Sequence, residues 1–292
     1  MDIFNTDPRN IHDNIHFNQA KQSTPFEYFG FHWMVGRPWG IAHPKHICWN
    51  SPDVVAYAKD TRVGFRVPEP EIRLGIGFEN RTFDFGEDGA ATYPWKVGYV
   101  TSVESFRYGR LSVDFILPQG PNLWPAIWLS DCATWPPEID IVECWSNNVL
   151  SGKRCYRRTW KGIPIPFTNE IFPGVVTGNK PSNKGGRSFR NKFKGTCSSY
   201  LYTDGRVNNC TIYWHPKWID MYYNGHQVAH IEDEETLKWF NESEGMQIHL
   251  NNYVTNSFRV DDFKKLEDSE RSCLRIMGLK YDGYDWDKEK DN

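Results

Sequence analysis

The sequence lacks the features that define several common classes of protein. Its seven cysteines include no Cys-x-x-Cys pair, so their spacing indicates neither a zinc ribbon nor a full disulfide framework. No run approaches the roughly 18 apolar residues of a membrane span. Residues 1–22 have neither the basic start nor the apolar stretch of a signal peptide. We therefore expect no membrane contact and no export signal in this chain.

The chain also lacks an excess of charge of either sign. It has 34 Lys and Arg against 37 Asp and Glu, a net charge of −3, whereas proteins that bind nucleic acid usually carry a basic surplus. A nucleic-acid partner is therefore not expected. Aromatic residues, in contrast, are abundant, with 13 Trp, 14 Tyr and 18 Phe. They are suited both to filling a large core and to lining a cleft that stacks on flat ligands, and composition does not decide between these uses.

The cysteines leave the redox state open. Their odd number means that at least one thiol is free or pairs outside the chain. Cys197 and Cys210 flank the segment SSYLYTDGRVNN, which is compatible with a bridged hairpin and equally with two reduced cysteines.

Short β-rich runs dominate the sequence, and helical periodicity is weak. From Phe26 onward, segments such as FHWMV, GRLSVDFIL, AIWLS and NCTIYW alternate with Gly, Pro, Asn and Asp. This pattern predicts an all-β fold, a β-jelly-roll sandwich of two antiparallel sheets, and the family resemblance described below adds an open substrate cleft. We expect residues 1–25 to form a polar N-terminal arm and residues 26–292 to form one domain.

Two local elements are predicted more sharply. In MYYNGHQV, an Asn-Gly pair lies between alternating residues, which predicts a hairpin with a two-residue turn at Asn224 and Gly225. The segment DEETLKWF predicts a short helix, because its acidic residues stand where the helix dipole favours them.

The segment WPPEIDIVECW sets three acids, Glu138, Asp140 and Glu143, in a stretch that otherwise reads as a buried strand. Because side chains alternate along a strand, Glu138 and Asp140 share a face, but regular alternation would put Glu143 on the other. A one-residue bulge near Ile141 and Val142 would return Glu143 to the face of the other two acids.

With a bulge, the two glutamates lie about 13 Å apart along the strand, and inward-leaning side chains bring their carboxyl groups to roughly 5 Å. That separation is typical of retaining glycosidases, which pair a nucleophile with an acid/base. Asp140 would support Glu138, and the clustered charge would raise the pKa of the acid that must stay protonated.

Two other interpretations of the three acids are a strand face that is exposed to solvent and a cation site. Neighbouring tryptophans argue against the first, and the missing carbonyl-rich loop argues against the second.

The same residues resemble glycoside hydrolase family 16. PPEIDIVE matches its E-x-D-x-x-E signature, and YGRLSVDFILPQGPNLWPAIWLS resembles the segment before it in the laminarinase, agarase and carrageenase branches. CTIYWHPKWIDMYYNGHQV and MQIHLNN resemble later strands of the family, so that the resemblance covers about residues 98–252.

The resemblance implies roles for particular residues. Glu138 corresponds to the nucleophile, Asp140 to the assisting carboxylate and Glu143 to the acid/base. The residues implied in substrate binding are Trp124, Trp128, Trp135 and Asn251.

The family implies a retaining endo-β-glycanase that cleaves a polysaccharide, with a β-1,3- or mixed-linkage glucan as the first substrate. The alternatives are a hydrolase of sulfated or neutral red-algal galactans, a transglycosylase and a non-catalytic carbohydrate-binding jelly roll. We expect a monomer outside the cell that needs no cofactor and has no catalytic metal, although a structural calcium ion is compatible with the family.

One region departs from the family pattern. Residues 151–195 match no segment of it, and the basic residues between Lys153 and Lys194 fit either a rim that attracts an anionic polymer or a solvated loop.

Overall fold

A computed structural model describes residues 24–37, 40–43, 46–57, 70–131, 135–146, 155–160, 163–167, 169–177, 200–202, 204–255, 258–264, 266 and 270–284. Most of the predicted N-terminal arm and most of the basic residues between Lys153 and Lys194 lie outside these ranges, so the predicted basic rim stays a prediction. The described part of the chain is dominated by β-strands, as the sequence pattern predicts.

The strands, in chain order, are β1 (Phe26–Tyr28), β2 (Phe31–Val35), β3 (Cys48–Asn50), β4 (Val55–Tyr57), β5 (Ile72–Leu74), β6 (Ile76–Asp84), β7 (Ala90–Val97), β8 (Tyr99–Phe106), β9 (Gly109–Ile116), β10 (Leu123–Ser130), β11 (Glu138–Ser146), β12 (Cys155–Trp160), β13 (Ile163–Phe167), β14 (Asn169–Val176), β15 (Asn208–His215), β16 (Trp218–Tyr223), β17 (His226–Ile231), β18 (Met246–Val254) and β19 (Leu274–Asp282). The α-helices are α1 (Glu234–Glu242) and α2 (Val260–Lys264). Short 3-10 turns lie at Pro52–Val54, Gly86–Asp88 and Glu270–Ser272.

Two large antiparallel sheets form the sandwich. The first, here called the acid sheet because it contains β11, has the order β1-β2-β8-β18-β10-β11-β14. The second, the facing sheet, has the order β17-β16-β15-β9-β19-β5-β4. A three-stranded sheet of β3, β7 and β6 and the β12–β13 hairpin complete the described strands. The predicted jelly-roll sandwich of two antiparallel sheets is confirmed.

The main core lies between the two large sheets and follows from period-two alternation. In β9, Leu111, Val113 and Phe115 are buried, while Arg110 and Asp114 on the other face are exposed. Each such apolar side chain stabilises the fold by about 1.5–3 kcal/mol when it is fully removed from water. One face of β9 therefore fixes the inside of the sandwich.

The predicted hairpin joins β16 and β17. Asn224 and Gly225 have φ values of 48° and 82°, so both turn residues adopt the left-handed conformation that a two-residue type I′ turn requires. The Asn224 side chain also accepts a hydrogen bond from the backbone N–H of Asn209 at 2.8 Å. The hairpin prediction is confirmed.

The predicted helix is α1. The side chain of Asp233 caps it by accepting a hydrogen bond from the N–H of Thr236 at 3.1 Å, and Glu234 and Glu235 occupy the first turn. No helix in the described part of the chain is long and apolar enough to cross a membrane.

Two features differ from, or complete, the sequence reading. Part of the stretch that matches no family segment forms β12, β13 and β14, and β14 is the strand that pairs with β11 at the edge of the acid sheet.

Cys210 is a free and fully buried thiol, so the alternative of a reduced cysteine holds for this residue. Its partner in the other alternative, Cys197, lies outside the described residues.

Candidate active site

A bulge in β11 places the three acids on one face. On the β10 side, Ile127 pairs with Val142 and Trp128 pairs with Asp140, so Ile141 is the extra residue. On the β14 side, the register shifts between Asp140 and Glu143. The bulge at Ile141 and Val142 is therefore where alternation predicts it.

The two faces of β11 differ sharply in what they contact. The side chains of Ile139, Ile141, Val142 and Cys144 all belong to the core between the sheets. Two successive residues, Ile141 and Val142, thus face the same side, which is the signature of a bulge. The acids are left on the other face, with exposed fractions of 8% for Glu138, 4% for Asp140 and 3% for Glu143. They do not coat a solvent-exposed strand, which excludes that alternative.

Trp135 orients Glu138. Two cis peptide bonds, Trp135–Pro136 and Pro136–Pro137, lead into the strand. The indole Nε1 of Trp135 donates a hydrogen bond to Oε2 of Glu138 at 2.9 Å. An N–H directed at a carboxylate oxygen restricts the rotation of the carboxylate. Trp135 is thus the immediate neighbour of the predicted nucleophile.

Trp124 orients Glu143 in the same way. Its indole Nε1 donates to Oε1 of Glu143 at 3.0 Å, from β10 to the adjacent β11. The half-buried ring of Trp124 also lies edge-on to Tyr253, with 6.3 Å between ring centroids. Each predicted catalytic glutamate therefore has its own indole donor.

Asp140 lies in a row of side chains that crosses the acid sheet. Trp128 is opposite Asp140 on β10, and His249 is opposite Trp128 on β18. The rings of Trp128 and His249 are stacked, with 4.1 Å between centroids and an interplanar angle of 19°. Because Trp128 is only 8% exposed, it forms the floor of the site. Its predicted stacking on a sugar stays a prediction.

Asn251 connects the two tryptophans of β10. Its Oδ1 accepts from Nε1 of Trp128 at 2.7 Å, and its Nδ2 donates to the carbonyl of Trp124 at 3.2 Å. Asn251 and Glu143 lie opposite the same residue of β10, Ala126, whose small side chain separates them. Six of the seven predicted site residues are therefore gathered on one face of three adjacent strands, and Trp135, just before β11, joins them through its hydrogen bond to Glu138. Their roles toward substrate stay predictions.

His249 is a site residue that the sequence reading missed. Its Nδ1 lies 2.8 Å from the hydroxyl of Tyr99 and 3.2 Å from Oγ1 of Thr101. Burial, together with the positive charge of Arg37, lowers the pKa of His249 well below its usual value, so the ring is neutral. The signal was present in MQIHLNN, because His249 and Asn251 are two residues apart and share a strand face.

His249→Gln is expected to make the protein less sensitive to acid. In the unfolded chain a histidine takes up a proton below about pH 6.5, but buried His249 does not, so the native protein loses stability as the pH falls. Between pH 6.5 and 5.0 this histidine contributes about 1.5 kcal/mol of that loss. Urea unfolding at the two pH values should show a smaller loss of unfolding free energy in His249→Gln than in wild type. Equal losses would contradict the buried neutral state.

A second missed group lies beside the acids and comes from the N-terminal part of the chain. The Arg37 guanidinium lies over the rings of Tyr99 and Tyr253, with Cζ 5.5 Å and 5.2 Å from their centroids. Burial lowers the pKa of Arg37, but electrostatic interactions with Tyr253, Tyr99, Cys48 and Glu138 outweigh it and raise the pKa. Arg37 thus brings a positive charge to the acid-bearing face.

His46 lies next to this group. Its ring centroid is 5.5 Å from that of Tyr253 and 6.2 Å from that of Trp124. Burial and the charge of Arg37 lower the pKa of His46 well below its usual value. Neither residue had a usable sequence signal, because both act through contacts with strands far along the chain.

No cluster of three or more His, Cys, Asp or Glu within the described ranges is arranged to hold a metal ion. A structural calcium ion therefore stays a prediction.

Comparison of sequences gives only short matches. No family model matches the chain. Two Rhizobium meliloti (strain 1021) proteins named endo-1,3-1,4-beta-glycanase, ExsH and EglC, are 37% and 39% identical to it over 54 residues, which are 18% of this chain and 12% of each relative. A beta-1,3-glucan-binding protein from Penaeus monodon is 46% identical over 50 residues, 15% of this chain and 14% of that protein. The chain thus matches only a small part of these relatives.

Comparison of structures covers nearly the whole chain. LamAcat from Zobellia galactanivorans superposes with a TM-score of 0.55 at 16% identity, over 90% of this chain and 94% of that one. A Bacteroides ovatus mixed-linkage-glucan GH16 protein, solved with a G4G4G3G product, gives 0.54 at 15% identity, over 89% and 99%. Porphyranase B from Zobellia galactanivorans gives 0.57 at 12% identity, over 89% and 88%.

The two facing sheets, with a row of acids on the outer face of one, form a jelly-roll sandwich. In particular, the fold is that of glycoside hydrolase family 16, as the resemblance in the sequence predicted.

Proposed function

We propose that the chain is a retaining endo-β-glycanase that hydrolyses internal β-linkages of a polysaccharide. The observation that carries the proposal is the bulge in β11, which gathers Glu138, Asp140 and Glu143 on one buried face. Burying three adjacent carboxylates is costly unless they are paired or used. Each glutamate accepts an indole N–H, an arrangement that orients a carboxylate for chemistry.

In the proposed mechanism, Glu138 attacks the anomeric carbon while Glu143 protonates the leaving oxygen. The bond between the anomeric carbon and that oxygen breaks, and a glycosyl ester of Glu138 forms. Glu143, now ionised, then removes a proton from water, whose oxygen displaces Glu138. Asp140, between the two along the strand, supports Glu138 during the change of charge.

We propose β-1,3- or mixed-linkage glucan as the first substrate to test. The half-buried Trp124 and Trp135 offer flat apolar surface beside the glutamates, and such surfaces stack on sugar rings. Because a polysaccharide does not cross a membrane by itself, we propose that the protein acts outside the cell.

Arg37 favours a second substrate class. A guanidinium near Glu138 could pair with a sulfate ester of a red-algal galactan. Salt separates the two classes, because it screens the long-range attraction of an anionic polymer to basic residues such as those between Lys153 and Lys194, and the Debye length falls from about 10 Å at 0.1 M to about 3 Å at 1 M. Cleavage of an anionic galactan should weaken at high salt, whereas cleavage of a neutral glucan should hardly change.

The test is incubation of the protein with a panel of β-glucans and red-algal galactans, followed by product analysis. Internal cleavage of one polymer into oligosaccharides supports the proposal. Binding without cleavage would favour a carbohydrate-binding jelly roll, and longer oligosaccharides formed from short ones would identify a transglycosylase. The intact set of three acids argues against a binding module, which has no need of them.

The stereochemistry of the first products is expected to be β. Two successive displacements at the anomeric carbon restore its configuration, whereas one displacement inverts it. Proton NMR during the first minutes of digestion should show the β-anomer before mutarotation produces the α-anomer. An initial α-anomer would mean that the two glutamates stand too far apart for a covalent intermediate.

A further inference from the structure

The bulge interrupts the residue pairing of β11 with both of its neighbours. Ile141 has no partner residue in the register with β10 and none in the register with β14. The residue of β14 that stands between the partners of Asp140 and Glu143 is Pro173, which has no N–H to donate. A donor from outside the acid sheet would therefore help to hold β11 at this point.

Tyr223 provides that donor from the opposite side of the sandwich. It ends β16 in the facing sheet, is fully buried, and its hydroxyl donates to the carbonyl oxygen of Ile141 at 2.7 Å. This is a direct hydrogen bond between the facing sheet and the catalytic strand at its irregular point.

The element that bears Tyr223 is itself fixed. Tyr223 immediately precedes the type I′ turn at Asn224 and Gly225 and pairs with Cys210 and His226 on either side. The Asn224 side chain is held by the N–H of Asn209 at 2.8 Å and donates to the carbonyl of Tyr200 at 2.7 Å. The hydroxyl of Tyr223 is thus presented from a well-anchored hairpin end.

We propose that Tyr223 is a positioning residue for catalysis, because its hydroxyl fixes the bulge and so fixes Glu143 relative to Glu138. The proposal rests on the function proposed above. Displacing one of two cooperating groups by about 1 Å can lower turnover by as much as about a hundredfold. The proposed action of Tyr223 is through the backbone of β11, because its hydroxyl donates to the carbonyl of Ile141.

The decisive variant is Tyr223→Phe, with Tyr93→Phe as its matched control. Tyr93 is also buried and also donates to a backbone carbonyl, that of His43 at 3.1 Å, but it belongs to a separate cluster around the small sheet. Both variants lose one buried hydroxyl and should melt at comparably lower temperatures. On the glucan or galactan that wild type cleaves, we expect kcat of Tyr223→Phe to fall about tenfold with KM within about twofold. Tyr93→Phe should keep kcat within about twofold of wild type.

A purely structural role would lower the melting temperature of both variants and leave both turnover numbers intact. The proposal is overturned if Tyr223→Phe retains wild-type kcat, or if the two variants lose kcat equally.

A second measurement does not need activity. Amide hydrogen exchange at Val142 and Glu143 should be at least about tenfold faster in Tyr223→Phe than in Tyr93→Phe, because the bulge loses its anchor. If wild type cleaves no polysaccharide, the proposed function fails while this measurement still tests the anchor. Equal exchange in the two variants would refute the anchor even in an active enzyme.

If Tyr223→Phe does not fold, 3,5-difluorotyrosine at position 223 keeps the hydroxyl and makes it a stronger donor. The carbonyl carbon of Ile141, labelled with carbon-13, should then change its chemical shift relative to wild type. An unchanged shift would show that Tyr223 does not control the bulge.

Discussion

Glu138→Gln is expected to lower kcat by more than about a thousandfold while leaving polysaccharide binding intact. The amide cannot form the ester that the proposed mechanism requires. Its oxygen can still accept the hydrogen bond that Trp135 donates to Glu138 at 2.9 Å, so the site keeps its shape. The change therefore removes the proposed nucleophile and leaves its hydrogen bond with Trp135 in place.

The measurement pairs turnover with affinity. Calorimetric titration with an oligosaccharide should give a Kd within about threefold of wild type, while kcat falls by more than about a thousandfold. Glu104→Gln is a suitable control, since Glu104 lies on β8 of the same sheet and accepts from Nδ1 of His32 at 2.6 Å on the exposed surface. Wild-type turnover in Glu138→Gln would eliminate the proposed role of this residue.

Glu143→Ala is expected to lose activity in a manner that depends on the leaving group. With a natural polysaccharide, whose leaving oxygen needs a proton, kcat/KM should fall by about a thousandfold or more. With an activated aryl glycoside, whose leaving group needs no proton, the first displacement should be much less affected. The second displacement then becomes slow, because no base remains to activate water.

Azide distinguishes this role from that of Glu138. It attacks without losing a proton and fits the space left by the Glu143 side chain beside Trp124, so it should restore turnover and yield a β-glycosyl azide. An α-glycosyl azide, or rescue of a Glu138→Ala variant instead, would show that the two glutamates have exchanged roles.

The sequence was informative where the determinants are local. Alternation along β11 located the bulge at Ile141 and Val142, and the Asn224–Gly225 pair located the hairpin, because both depend on residues close together in the chain. Alternation also indicates which residues share a face, but not how deep a side chain lies. Trp128 was grouped with Trp124 and Trp135 as a stacking residue, yet it is more deeply buried than either and forms the floor.

The remaining parts of the site depend on contacts between distant segments. Arg37 reaches Tyr99 and Tyr253, and no spacing rule connects residues so far apart in the chain. The bond from Tyr223 to Ile141 likewise joins positions on two different sheets. Substrate choice depends on such contacts, which is why the sequence predicted the chemistry more sharply than the polysaccharide.

The extra residue in β11 also has a consequence for how this strand can change in length. Two side chains of a regular strand share a face when their positions differ by an even number of residues. A shortened strand without Ile141 would read Glu138, Ile139, Asp140, Val142, Glu143, with the acids at every second position. The acids and the core residues would then keep their own sides with no irregularity at all. A strand lengthened by one residue between Ile141 and Val142 would also have an even spacing between Asp140 and Glu143, so Glu143 would keep its face. The two glutamates would then stand about 20 Å apart along the strand, instead of about 13 Å in the shortened strand. A deletion at this point therefore preserves the spacing of the glutamates, whereas an insertion lengthens it.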